Sequence, residues 1–379
     1  MPQHCANFLF FVGSLLLLLG QGCRPEAITN SNADPSNDLT AVAYNPEPET
    51  VKAPPLYPKM VIPADNPMTK QGIALGRRLF YDPILSSDSS QSCSSCHQIA
   101  GAFTDNKAFS QGVLGISGKR SAMSLVDIGF ANRGLFWDGR TSTLEQQAEL
   151  PIIDHTEMNE NWGNVLQKIR RHPSYPALFR AAFGIKSKLD ISKELAVKAL
   201  AQFERTLVSS GKAPYDRAPL PFGQNNYEYT EDEIIGKGLF FNEEGYRDAQ
   251  CGHCHNAPLF TTNQYQNNGL DTFPTLDDFV DKGLGGFSKQ RLDNGKFRAP
   301  SLRNVALTAP YMHDGRFKTL EEVMEHYKTG GKAMENTDPL VRTIPATRLT
   351  DLETKQIIAF MKTLTDTSLI NNTSLKSPF

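Results

Sequence analysis

Cys93-Ser-Ser-Cys96-His97 and Cys251-Gly-His-Cys254-His255 are two copies of one pattern, a pair of cysteines separated by two residues with a histidine directly after the second. This spacing suits a c-type haem, whose vinyl groups take up the two thiols as thioethers while the adjacent imidazole is held against the iron as proximal ligand. A zinc site built from both pairs would not need a histidine after each pair. A redox-active dithiol of the thioredoxin kind would need a βαβ setting that the flanking sequence lacks. Two covalent haems are therefore expected, one on Cys93, Cys96 and His97, the other on Cys251, Cys254 and His255. His253, inside the second motif, reads as a solvated spacer.

The flanks of the two motifs repeat as well. Gly76-Arg-Arg-Leu-Phe-Tyr81 precedes the first and Gly236-Lys-Gly-Leu-Phe-Phe241 the second. Downstream, Ser124-Leu125 leads to Asp138-Gly-Arg-Thr-Ser-Thr-Leu-Glu145, and Ser301-Leu302 leads to Asp314-Gly-Arg-Phe-Lys-Thr-Leu-Glu321. Each copy closes on a similar segment, Ala201 to Leu207 and Ile358 to Leu364. Thr143 with Gln146, Thr230 with Glu233, Thr319 with Glu322 and Thr350 with Glu353 are capping-box patterns that open apolar-periodic stretches. Alternating strand patterns are scarce. The expected fold is mainly α, with two cytochrome-c-like domains, each carrying one covalent haem, related by an internal repeat. The boundaries are residues 59–213 and 214–367, joined through a Pro-rich segment that starts at Gly211, with a tail at 368–379.

Ahead of the repeats, the apolar run from Phe8 to Leu19 is too short to span a bilayer and is followed by polar, proline-bearing sequence, so residues 1–22 read as a secretory signal. Cys23 then stands where a lipoprotein signal would place its acylated cysteine; lipidation and simple cleavage both remain open. Cys5 would leave with the signal. Residues 23–58, rich in Pro, Asn, Ser, Asp and Thr, read as a flexible linker. Export to the periplasm follows. The 379 residues carry 39 basic and 41 acidic side chains, which argues against a nucleic-acid footprint. A mean hydropathy of -0.38 excludes an integral membrane bundle.

The sixth ligand of each iron separates electron transfer from catalysis, because only an open face admits a small oxidant. Between His97 and His155 there is no histidine, and Met123 is the only methionine, so an open first haem fits the sequence. The helix capped at Thr143 turns Gln147 inward among apolar neighbours, where its amide would meet a distal ligand or, alternatively, backbone. Asp154, His155, Glu157 and Glu160 crowd the next loop and offer a general acid or base. In the second copy, Tyr327 shares an inward stripe with Leu320 and Val323; it is a haem-ligand type or a core tyrosine. Met312, Met324, Met334 and His326 compete with it for the second iron. Trp137, at the repeat position of His313, is an electron relay or a core aromatic bonded at its N–H.

On these residues, and on Phe136-Trp-Asp-Gly-Arg140, Glu157-Met158 and Pro300-Ser-Leu-Arg-Asn-Val-Ala-Leu-Thr-Ala-Pro-Tyr311 with His313-Asp-Gly315, residues 55–367 resemble the bacterial dihaem cytochrome c peroxidase family, which includes MauG. The resemblance implies a peroxide site at the first haem, with His97 proximal and Gln147 and Glu157 distal. It also implies electron entry at the second haem, with Trp137 between the two. It further implies a structural calcium held by Thr308 and Pro310, with Ser121 where the family usually has Asn. Ordinary members block the first iron with a loop histidine that is missing here, and carry Met where this chain has Tyr327. Tyrosine there is the MauG-like pattern. The implied activity is a cytochrome-c peroxidase that reduces hydrogen peroxide with electrons from a cytochrome c or cupredoxin. The alternatives are MauG-like oxidation of a partner protein's side chains and a non-enzymatic electron-transfer protein. Many relatives dimerise, and on the same ground both a monomer and a homodimer stay open.

Overall fold

Thr69 starts the first long helix, Lys70–Tyr81, by accepting the Gly72 N–H at 3.0 Å, and the spacing of Leu75, Leu79 and Phe80 gives that helix a buried stripe. The stripe crosses Lys193–Glu204 so closely that a Cβ on Gly76 would lie 1.8 Å from the Ala199 carbonyl oxygen. In the second half, Glu231–Phe241 crosses Asp351–Lys362 in the same way, and a Cβ on Gly236 would lie 1.9 Å from Gln356 O. Both glycines serve backbone-to-backbone approach. Gly76→Ala or Gly236→Ala is expected to cost about 1–3 kcal/mol or more as the crossing is forced apart. A drop in the denaturation midpoint of the holoprotein would measure it.

The computed structural model describes residues 34–219 and 225–379, so the expected signal, Cys5 and Cys23 lie outside the described residues. A short turn, Pro35–Asn37, comes first, and the body begins at Asp38. It is mainly helical. The paired strands among the described residues are Tyr265–Gln266 and Phe297–Arg298, antiparallel, with Tyr265 opposite Arg298. No helix among the described residues is long and apolar enough to cross a membrane.

Two apolar cores form, and their aromatic centres match. Phe80 sits 5.2 Å from Phe203 and 6.2 Å from Phe103; Phe240 sits 5.2 Å from Phe360 and 6.1 Å from Phe260. The caps match too, with one departure from expectation. Thr230 with Glu233 and Thr350 with Glu353 close as reciprocal boxes. At Thr143 and Thr319 only the outward half forms: the Gln146 side chain accepts from Ser142 N–H and Glu322 from Lys318 N–H, one residue early.

Part of the expected linker and the tail are docked. Within the stretch read as a flexible linker, residues 38–58 lie against the body: Leu39 is buried, Glu47 pairs with Lys70 at 2.7 Å, Glu49 N–H donates to Met68 O, and Tyr57 packs edge-on against Phe130. The tail returns to the first core. Its Ser368–Asn371 turn buries Leu369 there, Leu375 follows, Arg77 Nε donates to Lys376 O at 2.7 Å, and Arg78 stacks on Phe379. Neither segment has a periodicity, because each docks as isolated side chains and backbone bonds.

Candidate functional site

Cys93–Cys96 and Cys251–Cys254 are single helical turns, each closed by the following histidine, whose N–H returns to Cys93 O and Cys251 O. The four thiols are free. His97 Nδ1 donates to Phe103 O at 2.9 Å, with the Met123 backbone as a second partner; His255 Nδ1 donates to Phe260 O at 3.2 Å and to Pro300 O at 3.1 Å. Met123 and Pro300 are repeat equivalents. Burial pushes both imidazoles below their ordinary range, so each stays neutral with Nδ1 spent on carbonyls and Nε2 free for a metal. His253 is exposed beside Asp248, as a spacer should be.

Around the second motif, a cavity of about 250 Å³ is lined by Cys251, Cys254, His255, Tyr327 and the apolar Leu320, Val323, Met324 and Ile344. The residues fit a haem: two thiols and a neutral imidazole on one wall, a phenol on the cavity lining, and hydrocarbon around them. Burial pushes the Tyr327 hydroxyl up to about 12, and its Oη accepts from Asn268 Nδ2 at 3.5 Å. Met312 and Met324 share the cavity. Met334 Sδ instead accepts from Thr272 and Phe273, and His326 Nε2 faces Asn268 O at 2.9 Å.

On the helix Leu144–Ile153, whose Leu144 and Ala148 join the first core, Gln147 Oε1 is buried without a partner, an orphaned acceptor of the kind a bound group or water must satisfy. Of the four polar loop residues, only Glu157 is turned toward the cysteines. Burial pushes both Cys93 and Cys96 up, and the Glu157 carboxyl adds to the push on each. Glu157 itself is pushed up to about 7 by burial, then by Asp154, against the pull of Arg140. Glu160 is instead paired with Lys168 at 2.7 Å, and His155 is exposed beside Asp154. The Glu157 backbone is clamped by the loop that follows the first motif: Val113 N–H donates to Glu157 O at 2.9 Å, and a Cβ on Gly112 would meet Thr156 O at 2.2 Å.

Between the halves, Trp137 lines the cavity, donates its indole N–H to Ser121 O at 3.0 Å, and accepts Arg298 N–H at its carbonyl. His313, its repeat equivalent, stacks on Phe297 at 3.6 Å. Arg120 bridges the halves, pairing with Asp138 at 2.6 Å and Asp281 at 2.7 Å. Ser121, Thr308 and Pro310 line the same cavity, but the Ser121 hydroxyl is spent on Met312 O at 3.0 Å. No group of three or more His, Cys, Asp or Glu side chains among the described residues is placed to hold a metal, so calcium there would rest on carbonyl and hydroxyl oxygens.

Two buried charged groups escaped the sequence reading. Glu204, at the repeat position of Met361, is pushed up to about 8 by burial and leaves Oε2 unpartnered. Arg298 is buried with Nε unpartnered. Both sit in helix or strand patterns that predict burial but not the missing partner.

Residues 70–220 match the family model described as di-haem cytochrome c peroxidase. The chain is 33% identical over 356 residues to cytochrome-c peroxidase IdrP1 of Denitromonas iodatirespirans, covering 86% of this chain and 90% of the relative. It is 33% identical over 304 residues to the methylamine utilization protein MauG of Methylorubrum extorquens, covering 80% of each. Among solved structures, a MauG-like protein associated with microbial copper homeostasis superposes with a TM-score of 0.77 at 33% identity, covering 87% of this chain and 99% of that one. A peroxidase relative sharing a third of its residues over most of both lengths, together with a helical body that superposes on a MauG-like structure, makes this chain a member of the di-haem cytochrome c peroxidase family.

Proposed function

We propose that the chain is an exported dihaem c-type peroxidase built of two cytochrome-c-like domains, which reduces hydrogen peroxide to water with two electrons and two protons drawn from a small redox protein and solvent. Cys93, Cys96 and His97 would hold the peroxidatic haem, and Cys251, Cys254, His255 and Tyr327 the electron-entry haem. The observation that carries this reading is a Glu157 carboxyl that burial pushes up to about 7 and that makes no ion pair among the described residues; the unpartnered buried Gln147 oxygen supports it. When bound, a haem iron with one free face supplies peroxide binding and the electrons for O–O cleavage.

The chain's own groups do the rest. Glu157, near neutrality in basicity, takes the proton from one peroxide oxygen and returns it to the other, so that the departing oxygen leaves as water. Gln147 offers hydrogen bonding to the bound oxygen. Trp137, anchored at its N–H, offers an oxidisable ring on the path between the halves. Tyr327, a hard anionic ligand once deprotonated, favours the ferric state of its iron. The absence of a histidine in the loop clamped to Glu157 supports activity without prior reduction.

The as-isolated diferric protein is therefore expected to give an EPR spectrum of one high-spin and one low-spin haem and to react with peroxide at once. An all-low-spin spectrum, or reactivity only after half-reduction, would remove the open-site reading. MauG-like oxidation of a partner protein shares these first steps, and the identity with MauG favours keeping it as the second reading. Sustained turnover with a cytochrome c or cupredoxin donor separates the two. A calcium bound through Thr308 and Pro310 belongs to the same proposal.

A further inference from the structure

Arg298 is the exception among the deeply buried arginines. Arg205, Arg298 and Arg303 are 4%, 5% and 3% exposed. Arg205 pairs with Glu145 at 2.8 Å and Arg303 with Asp216 at 2.7 Å. Arg298 has no carboxylate among the described residues: one terminal nitrogen donates to Gly134 O at 3.2 Å, the other reaches Met123 Sδ at 3.8 Å, and Nε has no partner there. An unpaired guanidinium in a protein interior is strongly destabilising unless an anion completes it. Its five N–H donors are arranged to take a carboxylate two bonds at a time.

The place it occupies says which anion. Arg298 lines the same cavity as Cys251, His255 and Tyr327. Much of that cavity is hydrocarbon, and beside Arg298 the strand pair adds polar lining, where Gln266 faces Phe297, Thr261 Oγ1 donates to Ala299 O, and Asn268 follows; Ser121, Asn263 and His313 line it as well. A haem brings a hydrocarbon body and two carboxylates on one edge, and these match the two kinds of lining. The Arg298 backbone N–H is also bonded to Trp137 O at 2.9 Å, so a group held by this guanidinium is tied to the relay tryptophan.

Taking the haem assignment above as given, we propose that Arg298 binds a propionate of the haem carried by His255, fixing that edge of the macrocycle beside Trp137. It is a positioning residue. By neutralising a carboxylate near the iron it also disfavours the ferric state and holds the potential of that haem up.

The test uses the mature holoprotein. Pyridine haemochrome and intact mass first count the haems; fewer than two in the wild type would defeat the haem assignment itself, separately from this proposal. In Arg298→Gln with two haems, spectroelectrochemistry is expected to show a lower midpoint potential for the low-spin haem alone, with R298K closer to wild type. An unmoved low-spin potential in R298Q, or a shift confined to the high-spin haem, overturns the assignment. If R298Q fails to accumulate with both haems, R298K retains the charge but not the fork. Its resonance Raman propionate-bending band is then expected to shift, and an unshifted band overturns the proposal.

Discussion

Glu157→Gln is expected to lower peroxide turnover about 10²–10⁴-fold, the range that one positioned proton-transfer group supplies, while both haems and the low-spin EPR signal stay in place. The amide fills the same space but can neither accept nor return a proton. The pH dependence follows from the same carboxyl. Glu157 sits near 7 because burial and Asp154 oppose its charge more than Arg140 favours it. As the ionised form is the base, wild-type turnover at saturating donor should rise with pH through about 7, and the E157Q residue should be flat across that window. Stability moves the other way. A carboxyl whose folded-state value is raised contributes stability below its unfolded value near 4.5, and that contribution is lost as pH rises through about 7. E157Q should therefore gain thermal stability relative to wild type at pH 8 and show no such gain at pH 4. A turnover loss without the change in pH profile would mean a packing defect in place of a lost base.

Tyr327→Met is expected to raise the midpoint potential of the second haem by some tenths of a volt, inside the span of about 0.8 V that axial ligands command. Burial holds the free phenol protonated, up to about 12, so a ferric iron must displace that proton to bind it. An anionic oxygen then stabilises the ferric state, and a neutral thioether relieves that bias. The first haem stays open in the variant, so peroxide should still react with the diferric protein, while the raised potential of the second haem should make it a poorer site for a high-valent iron. Tyr327→Phe provides the control. If Met312 or Met324, which share the cavity, held the iron, neither substitution would move the potential or the low-spin EPR g-values.

How much of this was legible beforehand varies with how local the physics is. Five consecutive residues carry the expectation of covalent haem, and a threonine with a glutamate three residues on carries a helix start. The starts at Thr230 and Thr350 form as reciprocal caps. Those at Thr143 and Thr319 do not, because the returning side chain accepts from the amide one residue earlier. Of four polar residues in one loop, the sequence could not say that Glu157 faces the cysteines while the buried Glu160 pairs with Lys168. That orientation is set by Val113 and Gly112 from a separate loop, and by Lys168 drawing Glu160 away.

The sequence alone therefore carried the family, and with it the expectation of haem, since both are written in short-range spacing. Tertiary structure decided the docking of residues 38–58 and of the tail, and the isolation of Arg298 from every carboxylate among the described residues. Packing partners and missing partners are properties of neighbours far apart in the chain, and a buried charge becomes informative only when the space around it is known.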